Sequence, residues 1–412
     1  MANALERIYR EPRRVEFLRT GPLADHIEGF AALLLEQGYR RSSLQNRLCA
    51  AGRLGQWLRK RAIGARDLNE ARITQFIRAR RQRDRGEAAA AASLLRYLRQ
   101  IGVVRSKAPA PDRRNLSAIE RDYERHLIQE RGLGPATVRF HLYHVHRLMR
   151  DCLGSGNQRV EELSHKGITR YIVRYSPAYR PRSAQSWISV LRCFIRYLHL
   201  CGRTRIDLSG SVLRTATAHL AVLPKYLTVE QVEKLLKTPD RNTAVGLRDY
   251  AMMLLLARLG LRGGEVVKLE LEDIDWQAGE FMVRGKGSRS VRLPLPQDVG
   301  EALTAYLQHA RPNCGTRKVF VRALAPRGPL KGGCCVTGQV AHYLDRAGLH
   351  PAKRGAHVLR HSLATRMLGG GSSLEEIAQV LRHQHINTTE IYAKVDVTTL
   401  RSIAQPWPLG AA

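Results

Sequence analysis

The chain has 412 residues, with 68 Lys and Arg against 36 Asp and Glu, and a formal net charge of +32. This excess is typical of proteins that bind a polyanion, either a nucleic acid or an acidic membrane surface. A GC-rich genome also raises the Arg content, but it does not explain the shortage of acidic residues. The longest strongly apolar run, residues 251–257, is far shorter than the ~20 residues of a membrane span, which argues against an integral membrane protein.

The N-terminal residues and the cysteines indicate the cellular compartment that we expect for the protein. Residues 1–14 are charged and contain no apolar stretch, so no secretory signal is expected. The seven cysteines are scattered and form no CxxC pair. This pattern argues against a disulfide framework or a zinc ribbon and favours a reducing environment. We therefore predict a cytoplasmic protein that does not contact membranes.

The first half of the chain contains an internal repeat. Residues 94–102 (LLRYLRQIG) and 194–202 (FIRYLHLCG) share two apolar residues, Arg-Tyr-Leu and a closing Gly. Upstream, the Gly, hydroxyl and Leu positions of residues 38–54 match those of residues 132–148. The apolar spacings are helical rather than alternating. Each repeat is therefore predicted to be a bundle of about four helices, with the Gly as a C-cap.

The repeats and the composition divide the chain into five parts. A loop with the sequence KAPAPD (107–112) separates the repeats, and a second connector covers residues 203–224. The predicted parts are an N-terminal segment (1–22), a first DNA-binding-like helical module (23–105), a second helical module (116–205), a third large domain (225–405) and a tail (406–412).

Local signals predict the elements of the third large part. Thr228–Gln231 has the pattern of a capping box that begins a helix over 229–236, and helix continues through residue 257. Residues 280–284 and 290–295 are predicted strands around a turn at 285–288. The patterns Ser372–Glu375 and Asn387–Glu390 predict the starts of two later helices.

Four segments of this part carry the residue types of phosphoryl-transfer chemistry. They are GLRGGE (260–265), GKG (285–287), HVLRH (357–361) and LRH (381–383), the last followed nine residues later by Tyr392. In this order and spacing they resemble the tyrosine recombinase (phage integrase) family. The resemblance is close over residues 223–400 and looser over the second repeat, which is similar to the helical core-binding domain of that family.

The residue types suit the chemistry without the family. Arg262 and Arg360 offer planar, permanently charged guanidinium groups that can clamp the oxygens of one phosphodiester and stabilise its developing charge. Tyr392 is a candidate covalent nucleophile whose phenol, with a pKa near 10, needs nearby cations to ionise. His357 lies three residues before Arg360, so the two share a helix face.

The resemblance implies a role for each residue and a fold. It implies that Tyr392 is the nucleophile, Lys286 the general acid, His357 the base or hydrogen-bond partner, and His383 a phosphate contact. We expect Glu265 and His361 to orient these side chains. The expected fold is mainly α with a small β-hairpin: helical core-binding-type modules followed by an α+β catalytic domain.

Two departures from the family pattern affect the expected geometry. Arg382 stands where a Gly is usual before His383, and Gly263-Gly264 follows Arg262 where one larger residue is usual. We expect Arg382 to add a cation beside the site and to touch the DNA backbone. The doubled helical module is a third departure, since one copy is usual.

The sequence therefore predicts a site-specific DNA recombinase or integrase of a mobile element. It would cleave and rejoin double-stranded DNA through a 3′-phosphotyrosyl link without metal, ATP or another cofactor. Four protomers on paired target sites, with possible accessory recombinases, are implied by the resemblance. The alternatives are a type IB topoisomerase, which lacks a partner site, and a catalytically silent DNA-binding accessory factor. His357 and His361 could bind a metal, but no third ligand motif accompanies them.

Overall fold

The structure is a computed structural model, and it describes residues 3–79, 86–105, 117–154, 160–179, 181–212, 225–285, 290–383, 388–389 and 391–392. The side chains of residues 181 and 182 lie outside this description. The described residues of 3–105 and 225–392 form one compact unit, and those of 117–212 form another. No described helix is long and apolar enough to cross a membrane. All seven cysteines are free thiols.

The described residues of the first region, 3–79 and 86–105, form a bundle of six α-helices around one core. The helices are α1 (Ala4–Ile8), α2 (Pro12–Leu18), α3 (Ala24–Glu36), α4 (Arg41–Arg59), α5 (Glu70–Arg78) and α6 (Glu87–Gln100). Residues 1–22 were expected to be a separate segment. Instead, Leu5 and Ile8 of α1 and Leu18 of α2 are buried in the same core as α3–α6. The apolar side of these two short helices is covered only by packing onto that bundle, which explains the difference.

The second region repeats the helix order of α3–α6. Its helices are α7 (Ala118–Arg125), α8 (Pro135–Leu153), α9 (His165–Tyr175) and α10 (Pro181–Leu200). The helices α4 and α8 both contain 19 residues. The matching apolar positions are buried in both copies, for example Phe76 in the first and Tyr171 in the second. The helical repeat predicted from the sequence is thus present in the structure.

The last helix of each repeat ends in the same way. Gly102 follows α6 with φ +76°, and Gly202 follows α10 with φ +67°. The next residue, Val103 or Arg203, then donates its backbone N–H to the carbonyl of Leu98 or Leu198, at 2.9 and 2.8 Å. This is the Schellman arrangement, which needs a left-handed residue and therefore favours Gly. It accounts for the shared Gly of the two repeats.

The described residues of the third region, between 225 and 392, form seven α-helices and a three-stranded antiparallel sheet of order β1–β2–β3. Its elements are α11 (Val229–Leu236), α12 (Ala244–Leu259), α13 (Gly263–Lys268), β1 (Ile274–Asp275), β2 (Glu280–Arg284), β3 (Ser290–Pro294), α14 (Gln297–His309), α15 (Gly333–Arg346), α16 (Ala356–Gly369) and α17 (Leu374–Val380). Helix α12 is buried on nearly all sides, which fits its run of Met and Leu. The predicted mainly helical fold with a small hairpin is confirmed.

Most local predictions for this region hold. Thr228 and Gln231 form the capping box of α11, and β2 has the predicted bounds. The box predicted at Ser372–Glu375 is wrong by one residue, because Ser373 and Glu376 form it. The backbone N–H of Ser372 instead donates to Met367 O at 3.0 Å, closing the end of α16. The turn residues 286–288 and the ends of the Asn387–Glu390 pattern lie outside the described residues.

Candidate active site

The first arginine of the site is held by a carboxylate one helical turn away. Arg262 is the N-cap of α13, and Glu265 Oε2 accepts its backbone N–H at 2.9 Å. The other oxygen, Oε1, accepts from Arg262 Nη1 at 2.8 Å. The Arg262 side chain is 41% exposed, whereas that of Glu265 is 7% exposed. Burial alone would raise the pKa of Glu265, but the hydrogen bonds from Arg262 and the charges of Arg382 and Arg262 lower it overall.

The structure gives a steric reason for glycine at position 263, the first residue after Arg262. A Cβ on Gly263 would lie 3.0 Å from the carbonyl oxygen of Gly333, the first residue of α15. A Cβ on Gly333 would lie 2.7 Å from the backbone nitrogen of Gly264. The starts of α13 and α15 therefore approach too closely for side chains there. This contact fixes the start of α13, and with it the position of Arg262.

The second arginine, Arg360 on α16, lies deeper. It is 5% exposed, and its Nη1 and Nη2 donate to the carbonyls of Gly260 and Leu381. Burial, followed by the charges of Arg262 and Arg382, lowers the pKa of Arg360 to about 10. The guanidinium therefore remains charged at neutral pH. Its two backbone acceptors orient it without neutralising it, so its charge stays available to an anion.

The tyrosine is buried beside a histidine. Tyr392 is 1% exposed, and its hydroxyl lies 2.8 Å from His361 Nδ1. Burial raises the pKa of Tyr392 to about 12, although the positive charge of Arg360 opposes the shift. The phenol is thus protonated in this state. His361 was expected to orient neighbouring groups, and the structure places it directly on the hydroxyl.

His383 completes the cluster as a neutral imidazole. Its Nδ1 lies 2.7 Å from Thr389 Oγ1. Burial and the charges of Arg360, Arg262, Arg382 and His361 lower its pKa to about 4. Thr389 is fully buried, and its carbonyl accepts the backbone N–H of Tyr392 at 2.9 Å. Sequence reasoning missed Thr389, whose only signal was its place in the segment interpreted as a helix cap.

Of the other residues predicted for the site or its surroundings, the structure describes His357 and Arg382. His357 is exposed on the first turn of α16, one turn before Arg360 and His361. Lys286 lies outside the described residues, between β2 and β3. Arg382, expected to face the DNA backbone, instead has a side chain that is only 9% exposed and is paired with Glu265. Among the described residues, no three His, Cys, Asp or Glu side chains form a group that could hold a metal ion.

Comparison with known sequences identifies the family of this chain. The profile of the Phage integrase family matches residues 225–398. The putative integrase/recombinase y4rA of Sinorhizobium fredii is 39% identical over 94% of this chain and 95% of its own length. Tyrosine recombinase XerD of Vibrio cholerae is 31% identical over 66% of this chain and 90% of its own length.

Comparison with solved structures agrees with the fold. The XerH site-specific recombinase, solved as a post-cleavage complex with palindromic difH substrate, superposes with a TM-score of 0.52. It is 20% identical, over 69% of this chain and 83% of its own. A lambda integrase fragment, solved as a dimer on a COC′ core site, gives a TM-score of 0.51. That fragment is also 20% identical, over 67% of this chain and 94% of its own. The chain belongs to the tyrosine recombinase family, and it is a DNA breaking-rejoining enzyme.

Proposed function

We propose that the chain is a site-specific recombinase that acts on double-stranded DNA through a covalent bond to Tyr392. The observation that carries this proposal is a connected cluster: His361 contacts the Tyr392 hydroxyl, the charge of Arg360 acts on it, and Arg262 and His383 lie close enough to Arg360 to interact with it electrostatically. The titratable neighbours act electrostatically on one another, as their linked pKa shifts indicate. Such a cluster matches an anionic, five-coordinate phosphorus centre attacked by a phenol.

The reaction is a pair of transesterifications. The Tyr392 oxygen attacks the scissile phosphorus, the bond to the 5′-oxygen breaks, and a 3′-phosphotyrosyl link forms. The phenol proton passes to a neighbouring imidazole, with His361 in hydrogen-bond reach and His357 one turn earlier on the same helix. The 5′-oxygen takes a proton, for which Lys286 is our candidate donor. A 5′-hydroxyl from a partner strand then reverses these steps.

The energetics of this scheme need neither metal nor nucleotide hydrolysis. The phosphodiester energy is kept in the phosphotyrosyl bond, so the second step is close to balanced. Arg262 and Arg360 stabilise the charge on the non-bridging oxygens, the role that a metal ion plays in other phosphoryl-transfer sites. The buried, protonated state of Tyr392 means that its ring must leave its pocket before it can attack DNA.

The decisive experiment traps the covalent intermediate. A nicked suicide substrate loses its short 5′-hydroxyl fragment after cleavage, so the adduct accumulates and is visible on a denaturing gel. Wild-type protein should give the adduct in excess EDTA, and Tyr392→Phe should bind the same DNA but give none. An adduct that survives in Tyr392→Phe would overturn the assignment of the nucleophile. Absence of any wild-type adduct would favour a silent accessory factor.

Relaxation of plasmids distinguishes a recombinase from a type IB topoisomerase. A recombinase should exchange strands between two copies of its site, by our proposal as four protomers on paired sites. A topoisomerase would relax any supercoiled plasmid without a second site. Relaxation of unrelated plasmids without recombinant products would contradict the proposed function.

We further propose that the first helical module contacts DNA. Its exposed cations Arg40, Arg59 and Lys60 support this, while Arg47 and Arg61 stack on Tyr39 and Trp57. Each lost phosphate contact should flatten the log–log salt dependence of binding by about 0.9. Arg59→Ala with Lys60→Ala should therefore flatten that slope in fluorescence anisotropy titrations without slowing cleavage of bound DNA.

The contrary observation is a contact inside the first compact unit. The backbone N–H of Arg327 donates to the carbonyl of Gln37 at 3.0 Å, so the module also packs on the catalytic region. If the module is only a scaffold, the double substitution will leave the salt slope unchanged. An unchanged slope would overturn the proposed DNA contact of this module.

A further inference from the structure

The residue before His383 has an unusual backbone. Arg382 has φ +54°, in the left-handed region, and Ala62 is the only other non-glycine residue with positive φ in the described part of the chain. Residues with a Cβ rarely adopt this conformation, and Gly adopts it freely. An Arg here is therefore less favourable for the backbone than a Gly. Its side chain must contribute something that a Gly would not.

The Arg382 side chain points into the protein rather than towards solvent. It is 9% exposed, and its Nη2 lies 3.1 Å from Glu265 Oε2. Its Nη1 donates to Val380 O at 2.9 Å and to Leu259 O at 3.3 Å, and its Nη2 also donates to Gly260 O at 3.3 Å. Its Nε is buried without a hydrogen-bond partner in the described structure. A guanidinium so enclosed is a fixed charge.

These contacts link Arg382 to the supports of both phosphate-binding arginines. Glu265 holds Arg262 and Arg382 together, so its single negative charge is shared between two cations. The Gly260 carbonyl accepts from both Arg360 and Arg382. The three guanidinium groups and one carboxylate give a local charge of +2. With Gly at position 382 it would be +1, and Glu265 would neutralise Arg262 alone.

We infer that Arg382 is a positioning residue for the phosphate site: by sharing Glu265 and the Gly260 carbonyl, it keeps Arg262 available to the scissile phosphate. This inference rests on the proposed function. Arg382 acts through Arg262 and Arg360 and does not itself touch the DNA. It also adds positive charge beside His383, together with Arg360, Arg262 and His361, and so keeps that imidazole neutral.

A matched pair of variants tests the charge separately from the shape. Arg382→Met and Arg382→Lys both keep a long side chain on a left-handed backbone, but only Lys keeps the charge. On the nicked substrate, Arg382→Met should form the adduct about tenfold more slowly, less than the ~10²–10³ loss for a direct donor. Arg382→Lys should stay within about threefold of wild type. DNA affinity, measured in a Tyr392→Phe background, should change little in either variant.

A second measurement does not depend on cleavage. An NMR pH titration of the resting protein should show a higher pKa for His383 in Arg382→Met than in Arg382→Lys, because a neighbouring positive charge is lost. A merely structural role would leave the two titrations equal. Equal His383 titrations, or equal adduct rates for the Met and Lys variants, would overturn the inference. Failure of the proposed function would appear separately, as the lack of an adduct in wild type.

Arg382→Gly supplies the family residue as a third variant. It relieves the backbone but removes both the charge and a buried donor to three carbonyls, so it should melt below wild type and cleave as slowly as Arg382→Met. Cleavage at the wild-type rate by a folded Arg382→Gly protein would also overturn the inference.

Discussion

Two histidines in separate regions of the molecule have a similarly lowered pKa in different surroundings. The pKa of His144 on α8 and that of His383 in the active site are both lowered to about 4. His144 is 3% exposed and packs edge-on against Phe140 and Tyr143. Its pKa falls through burial and then through the charges of Arg147 and His141. Around His383, burial is joined by three arginines and a histidine.

The difference separates packing from function. An apolar and aromatic wall disfavours the imidazolium permanently, because a bound anion cannot change the burial. Neighbouring guanidinium groups disfavour the imidazolium only until a bound anion neutralises their charge. His144 is therefore part of the core, and His383 is part of the proposed phosphate site.

The largest expected effect is on the rate of adduct formation, which substitutions in the active site should change and a substitution at His144 should not. Arg262→Ala or Arg360→Ala should each raise the activation free energy of adduct formation by ~3–4 kcal/mol, which is the usual loss for one oxyanion donor. His144→Phe should leave the single-turnover rate unchanged. Arg360→Ala should also lower the melting temperature, since the Leu381 carbonyl loses its side-chain donor and the Gly260 carbonyl loses one of two. The half-exposed Arg262 should matter little to stability. A normal rate for Arg360→Ala would break the comparison.

Binding of DNA should then separate the two imidazoles. A phosphate beside Arg262 and Arg360 offsets their charge, so the pKa of His383 should rise. The pKa of His144 should stay near 4. NMR titration of Tyr392→Phe protein with an uncleaved duplex measures both values at once. Equal shifts at the two residues would show that DNA acts through a general change of conformation.

Acid stability should show the smallest effect. A histidine whose folded pKa lies below its unfolded value of 6.5 stabilises the fold above pH 6.5, and this contribution is lost as pH falls towards 4. Each such histidine contributes a slope of at most about 1.4 kcal/mol per pH unit. His383→Asn and His144→Phe should each reduce the slope in urea unfolding between pH 6.5 and 4. No change in either variant would mean that these histidines have the same pKa in the folded protein as in the unfolded chain.

Much of the site could be predicted from the sequence because its chemistry depends on residue types at short spacings. Arg262 with Glu265, and His357 with Arg360, lie three residues apart in a helical turn, so helix periodicity alone brings each pair to the same face. The hairpin strands and the capping box of α11 follow from equally local patterns. These predictions needed no knowledge of distant contacts.

The remaining features depend on contacts between segments far apart in the chain. The inward course of Arg382 follows from carbonyls at 259 and 260, more than a hundred residues earlier. The contact of His361 with Tyr392 joins α16 to a segment 31 residues later. The packing of α1 and α2 into the first bundle is of the same kind. No local periodicity encodes such contacts, so the sequence left them open.

Gly260 has a consequence for how sequences of this kind can change. It ends α12 with φ +58°, a Cβ there would lie 2.6 Å from Leu381, and its carbonyl serves two arginines. Arg382 shares this carbonyl with Arg360 and shares Glu265 with Arg262, so a substitution at 265 or 382 also alters the contacts of neighbouring arginines. Single substitutions at these two positions should therefore be less fit than paired ones. We expect Glu265 and Arg382 to drift together along a lineage, with Gly260 unchanged.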